Sequence, residues 1–360
     1  MSQLPKILRT ETEAICYPHG RMVGSDGHEE ARIHLKRRLK EIGCRPYIGR
    51  SLELPYKYKN KACCNLVGRF PGANRRLAPI LIGAHYDSVI PFPCADDNAA
   101  AVAIALQAGK MLAEQGGLER DVVIAIFDAE EPPYFLSDGM GSQRFYEDHV
   151  LGQREIHAAI IMDLVGHDIS VPGHVLSHLP VVGKAAALIP GLANTDISIP
   201  MLSQLLFVTG SESHEEMAVA LESIGQPSGL KIVPTLNRYI GDMSDHGVFR
   251  RNGVPYFFLS CAQWAHYHTP TDTPDRLNYS KMSHITRYVV ELAKSIDSFE
   301  MAGRKRKERT HDTIELEIAF LRRSLGILYK PVMKWMKLQG VSNRKEMDAF
   351  VHQLLYSGLC

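Results

Sequence analysis

The chain has 360 residues, 45% of them hydrophobic, which is enough for one large core with an appendage. Lysine and arginine total 41 against 40 aspartates and glutamates, a net charge of +1, so no field of one sign points to nucleic acid or to acidic partners. No apolar run has membrane-spanning length and the opening residues, MSQLPKILRTETEA, lack the apolar core of a signal peptide. The odd count of seven cysteines has no CxxC pair and suits reduced thiols, so a cytoplasmic chain with no membrane partner is expected.

Taken in order, residues 24–42 form a capped amphipathic helix, with Ala31, Leu35, Leu39 and Ile42 at helical spacing and Gly43 as its stop. Residues 47–54 and 62–70 read as a strand pair leading into the Pro71-Gly72 turn. From Pro79 the pattern changes to short apolar runs alternating with helices, the mark of an α/β fold with a mostly parallel twisted sheet. The runs are 79–84, 121–127, 157–162 and 254–260; helices are expected at 99–114 and 141–148. The interval 164–239 is read as one more layer with loops shaping a pocket. Its histidines, His174, His178 and His214, are taken as ordinary surface residues. A closing helix is expected at 279–299.

Beyond it, the basic run 304–309 reads as a linker to three helices at 313–328, 331–338 and 342–356. The division expected is a catalytic domain over 1–300 and a helical C-terminal extension over 301–360. The extension would dock on the core or on a second copy, which would make a homo-oligomer.

Each of the four apolar runs is followed at once by residues of metal-binding or acid/base type. These are His85 and Asp87, then Asp128, Glu130 and Glu131, then Asp163 and His167, and last His266 and His268. Parallel strands bring their carboxyl ends to one edge of the sheet, so these residues should meet there with Asp96 and Asp97, which open the 99–114 helix.

Two imidazoles and three carboxylates, His85, Asp97, Glu131, Asp163 and His268, suit two Zn²⁺ ions bridged by Asp97, with Co²⁺ or Mn²⁺ as substitutes. His85 and Asp163 would complete one metal, Glu131 and His268 the other. Two dications against three carboxylates leave +1, which a hydroxide between the metals neutralises. Glu130 fits the proton acceptor beside it, and Asp87 is placed to accept the other ring N–H of His85.

The segments GAHYDSV (83–89), ADDNAAAVA (95–103), FDAEE (127–131), MDLVG (162–166), SDHGVFRRNGVP (244–255) and YHTPTDT (267–273) resemble the two-zinc exopeptidases of peptidase family twenty-eight. Those are the secreted bacterial leucine aminopeptidases, glutamate carboxypeptidase and the glutaminyl cyclases. The resemblance implies that Asp97 bridges the metals with Asp96 behind it, that Glu130 is the general base and Glu131 a ligand, and that the peptide bond after Asp97 is cis. It also implies a substrate-facing role for Tyr267 and places the Ser244-Asp245-His246 stretch near the site, where His246 either fixes a loop or touches substrate.

The activity expected from it is removal of N-terminal residues from peptides. A glutaminyl cyclase, a carboxypeptidase or dipeptidase, and a non-catalytic receptor or scaffold are the competing readings. The Pro132-Pro133 pair and the helical tail depart from the family pattern.

Overall fold

The apolar runs become neighbouring strands because alternate residues of each have a buried surface to fill on both faces. In the computed structural model, which describes residues 3–172, 196–198, 203–301 and 311–356, nine strands form one mixed sheet. The strands β1 (Arg45–Pro46), β2 (Glu53–Tyr58), β3 (Lys61–Phe70), β4 (Ile80–His85), β5 (Val122–Phe127) and β6 (Ala158–Met162) come from the first half of the chain. A short β7 (Ser170–Pro172) and β8 (Asp196–Ser198) pair separately; β9 (Leu205–Thr209), β10 (Lys231–Thr235) and β11 (Tyr256–Ser260) complete the main sheet.

Its order is β1-β3-β5-β4-β6-β11-β9-β10, with β2 paired to β3. The inner strands β5, β4, β6 and β11 are mutually parallel, so their carboxyl ends share one edge; β3 and β9 flank them antiparallel. Ile80, Ile82, Val122, Ile124 and Ile160 face one hydrophobic cluster, while Leu81, Val123, Ala125 and Ile161 face the other. That alternation is the period-2 geometry of a sheet covered on both sides.

The helices supply the covers. The first face carries α1 (Leu4–Glu13), α2 (Asp26–Glu41) and α3 (Ala100–Gln115), the second α4 (Gly141–His149). Ser25 caps α2 by accepting from the His28 backbone N–H, and Gly43 follows it at φ +89°. The alanine-rich α3 lies so close to the sheet that a Cβ at Gly109 would stand 2.6 Å from Ile124 Cδ1.

Later come α5 (Glu215–Ile224), α6 (Asn237–Ile240), α7 (His246–Arg251) and the closing α8 (Tyr279–Asp297), then α9 (Ile314–Leu325), α10 (Tyr329–Trp335) and α11 (Arg344–Tyr356). Leu321, Leu325, Met333, Met336, Val341, Met347 and Phe350 give the last three helices a small core of their own. No helix among the described residues is long and apolar enough to cross a membrane, and the described cysteines are free thiols.

Two local readings differ from the structure. The strand expected at 47–54 begins only at Glu53, because its register is set by a tight hairpin with Lys59 and Asn60 at positive φ (43° and 66°), pairing Tyr58 with Lys61. Helix α1 was not anticipated: its packed face mixes Leu4 and Leu8 with the buried polar residues Glu11 and Thr12. His174 and His178 lie outside the described residues.

Candidate metal centre

The carboxyl edge of the four parallel strands gathers the acid/base residues. His85 is the last residue of β4, Asp163 follows β6, Asp128, Glu130 and Glu131 follow β5, and His268 lies beyond β11. His85 Nε2 lies 3.3 Å from Asp97 Oδ1 and 3.7 Å from Asp163 Oδ1. His268 Nε2 lies 3.1 Å from Asp97 Oδ2 and 3.4 Å from Glu131 Oε2. The two oxygens of Asp97 thus face two different imidazoles, and two donor sets share that one carboxylate. Glu130 Oε2 is 3.8 Å from His85 Nε2, and Glu130 forms a third such group with His85 and Glu131.

These donors fit metal ions by what they lack. His85 Nε2, Asp97 Oδ2, Glu131 Oε1, Asp163 Oδ1 and His268 Nε2 are buried atoms without a hydrogen-bond partner, and Glu130 Oε1 is another. Leaving so many polar atoms unsatisfied costs a few kcal/mol apiece unless a cation takes them up. Within each set the ligand atoms lie within 4.8 Å of one another, a span one divalent ion bridges with nitrogen and oxygen donors.

The electrostatics point the same way. Burial, with the Asp97 charge beside it, pushes Glu131 up to about 8, and burial raises Glu130 well above the carboxylate range. Burial alone would lower His268, yet the Asp97 and Glu131 carboxylates facing its ring carry it to about 10. Without cations the cluster therefore holds protons that metal binding must displace.

The residues around the donors fix them. Asp87 accepts from the backbone N–H groups of Glu130 (3.0 Å) and Glu131 (3.1 Å) and stands 3.3 Å from His85 Nδ1, so one carboxylate orients both elements. Asp96 does not enter the centre: it accepts from Gly166 N and His167 Nδ1 at 2.5 and 2.6 Å. Asp272 receives the backbone N–H groups of Asp96 and Asp97 at 2.9 and 3.2 Å. The Asp97–Asn98 peptide bond is cis.

Several supports carried no sequence signal. Arg21, fully buried, donates to the carbonyls of Tyr86, Ile15, Pro93 and Cys94 and so ties down the loop that carries Asp97. His28 of α2 stands 2.7 Å from Asp128 Oδ1, and Asp128 Oδ2 accepts from Cys64 N, anchoring the loop of the glutamate pair. Gly141 N donates to the Asp128 carbonyl at 2.9 Å, an approach that a Cβ, only 2.1 Å from that oxygen, would forbid.

Each donor-bearing loop also contains a non-glycine residue in the left-handed region: Cys94 at φ +43°, Ala129 at +52°, Leu164 at +53° and His268 itself at +56°. Such conformations cost about 1–3 kcal/mol each and persist where the surroundings dictate them.

Other candidates take different places. His266 bonds Thr271 Oγ1 (2.7 Å), and His214 pairs with Glu216 (2.6 Å). His246 is buried against Phe258, ring centroids 4.1 Å apart, with Nε2 3.2 Å from the Gly241 carbonyl; burial pushes it down to about 4. Its Nε2 also lies 3.0 Å from Asn237 Oδ1, while its buried Nδ1 has no hydrogen-bond partner. Asp245, beside it, is fully buried, both oxygens lack partners, and burial pushes it up to about 7. Tyr267 stacks on His268 at 3.7 Å, and burial keeps its hydroxyl protonated.

The sequence matches the profile of peptidase family M28 over residues 65–173 and 177–293. The uncharacterized protein YfbL of Escherichia coli is 28% identical over 257 residues, 66% of this chain and 70% of its own. The LapA aminopeptidase of Legionella pneumophila superposes with a TM-score of 0.59 at 16% identity, over 82% of this chain and 70% of its own. The glutaminyl cyclase of Porphyromonas gingivalis does so with a TM-score of 0.53 at 19% identity, over 81% of this chain and 97% of its own. At these identities the two structures share the fold.

Proposed function

Because the chain belongs to peptidase family M28, we propose that it is a metal-dependent exopeptidase that releases N-terminal residues from peptides. The observation that carries this reading is the sharing of Asp97 between two donor sets, His85 with Asp163 and His268 with Glu131. Two divalent ions held there, zinc by the nature of the donors, would polarise the scissile carbonyl and lower the pKa of the attacking water.

The chain's own groups supply the rest. Glu130 takes the proton from the water and hands it to the departing amine, a role open to a carboxylate that stands 3.8 Å from His85 and next to Glu131. Its position is set by the Asp87 carboxylate, which holds the backbone N–H of Glu130 and orients His85 through Nδ1. The Tyr267 hydroxyl, kept protonated, can donate to negative charge developing on the carbonyl oxygen.

The test is Glu130→Gln assayed on aminoacyl p-nitroanilides. Turnover should fall about 10²–10⁴-fold with the metal content unchanged, and undiminished turnover would remove Glu130 from this role. Incubation of the wild-type chain with an N-terminal glutamine peptide separates the cyclase reading, since pyroglutamate without hydrolysis of the p-nitroanilides would replace the exopeptidase assignment.

A further inference from the structure

A cavity of about 310 Å³ opens beside Asp163 and Tyr267. This is the lower end of the range for small-molecule sites. One wall is sheet: Phe207 of β9, Val233 of β10 and Phe258 of β11. The other wall is built by the C-terminal helices, with Leu321 from α9 and Phe350, Val351 and Leu354 from α11. These helices lie beyond residue 293, where the family match ends.

The helical wall is fastened in place. Arg344 at the start of α11 donates to both oxygens of the buried Glu317 of α9, at 2.7 and 2.8 Å. Asp348, one turn on, pairs with Arg238 and accepts from the Tyr239 hydroxyl, both on α6. Glu317 also lines the cavity, but Arg344 and Thr313 Oγ1 occupy its carboxylate, so it does not make that end attractive to a cation. Phe350 is nearly buried, whereas Val351 and Leu354 are half-buried and present their side chains to the space.

We infer that the C-terminal extension is a specificity element, in which α9 and α11 complete an apolar pocket receiving the bulky aliphatic or aromatic side chain of the substrate residue next to the scissile bond. The inference rests on the exopeptidase reading for the word substrate, but the pocket can be tested without turnover. Its position fits the task, because Asp163 and Tyr267 line the same cavity as Phe258, Leu321 and Val351. Small or charged side chains would leave that apolar surface wet or desolvate their own charge.

Binding of L-leucinol, L-phenylalaninol and L-alaninol to the metal-loaded full-length chain, followed by NMR titration, tests this. The wild-type chain should bind the first two at least about tenfold more tightly than L-alaninol, the scale on which an apolar pocket discriminates missing methyl groups. Val351→Trp and Leu354→Trp, each filling the space from a half-buried position, should erase that preference while L-alaninol affinity stays within about threefold.

Equal affinities for the three alcohols in the wild-type chain would overturn the inference, as would a preference that survives both substitutions. Turnover of leucyl p-nitroanilide is scored separately. A binding preference that the tryptophans abolish supports the pocket even in a chain that fails to hydrolyse, and that failure would count against the exopeptidase reading alone.

Discussion

His85 and Asp163 stand at the ends of adjacent parallel strands, whereas Glu131 and His268 are carried by loops, and the two halves of the centre differ accordingly. The His85 side chain is 0% exposed and its ring is held by Asp87. The His268 side chain is 28% exposed and sits on a left-handed residue. Strand ends inherit the rigidity of a sheet hydrogen-bonded on both sides, while a loop holds its ligand only through local contacts. Two sites that share a carboxylate need not bind alike, and the His85–Asp163 half is expected to be the tighter one.

Single substitutions sharpen that contrast. His85→Ala should abolish activity and cost both ions, because it removes the fully buried donor and leaves Asp97 and Asp163 facing each other. His268→Ala should retain one ion per chain and lose activity chiefly through the other. Metal analysis after dialysis, beside turnover, reads both outcomes, and equal metal loss in the two variants would break the asymmetry.

A smaller effect is expected at Asp87. Asp87→Ala leaves every proposed donor in place but frees the His85 ring and the loop of the glutamate pair, so metal affinity should fall about 10–100-fold. Competition against a chelator measures it.

The smallest effect is in the pH dependence of the metal-free chain. Glu131 at about 8 and His268 at about 10 both lie above their ordinary values. The folded state then binds more protons than the unfolded one, so the stability they contribute is present at low pH. It is lost as pH rises, between about 4.5 and 8 for Glu131 and between about 6.5 and 10 for His268. The melting temperature of the metal-free chain should therefore drop from pH 6 to pH 9. Metal binding displaces those protons, so affinity should rise over the same interval, most for the His268 half.

Much of this centre could be read from the sequence because its donors follow apolar runs. A strand buried on both faces is written as consecutive apolar residues, and its last residue marks the edge where ligands gather. The places of His85, Asp163 and the Glu130-Glu131 pair at strand ends were legible in that way, whereas the order of the strands in the sheet was not. The supports were not. Arg21 reaches the carbonyls of Tyr86 and Cys94, His28 reaches Asp128, and Asp272 reaches the backbone of Asp96 and Asp97. These pairs are 65 to 176 residues apart, and a lone polar residue in a helix or loop carries no period that announces its partner.

The pocket wall shows a different blindness. The spacing of Met347, Phe350, Val351 and Leu354 gave a helix correctly but not its neighbour, since an apolar face is the same whether it meets a core, a second copy or a cavity. The strand expected at 47–54 slipped because two non-glycine residues took up a hairpin turn.

The most direct test of the central claim is the zinc content per chain, measured after loading and gel filtration in the wild-type protein and in Asp97→Ala. Two ions in the former and loss of both tight sites in the latter are expected from a carboxylate that faces both imidazoles. A single ion in the wild-type protein, or two ions retained by Asp97→Ala, would contradict it.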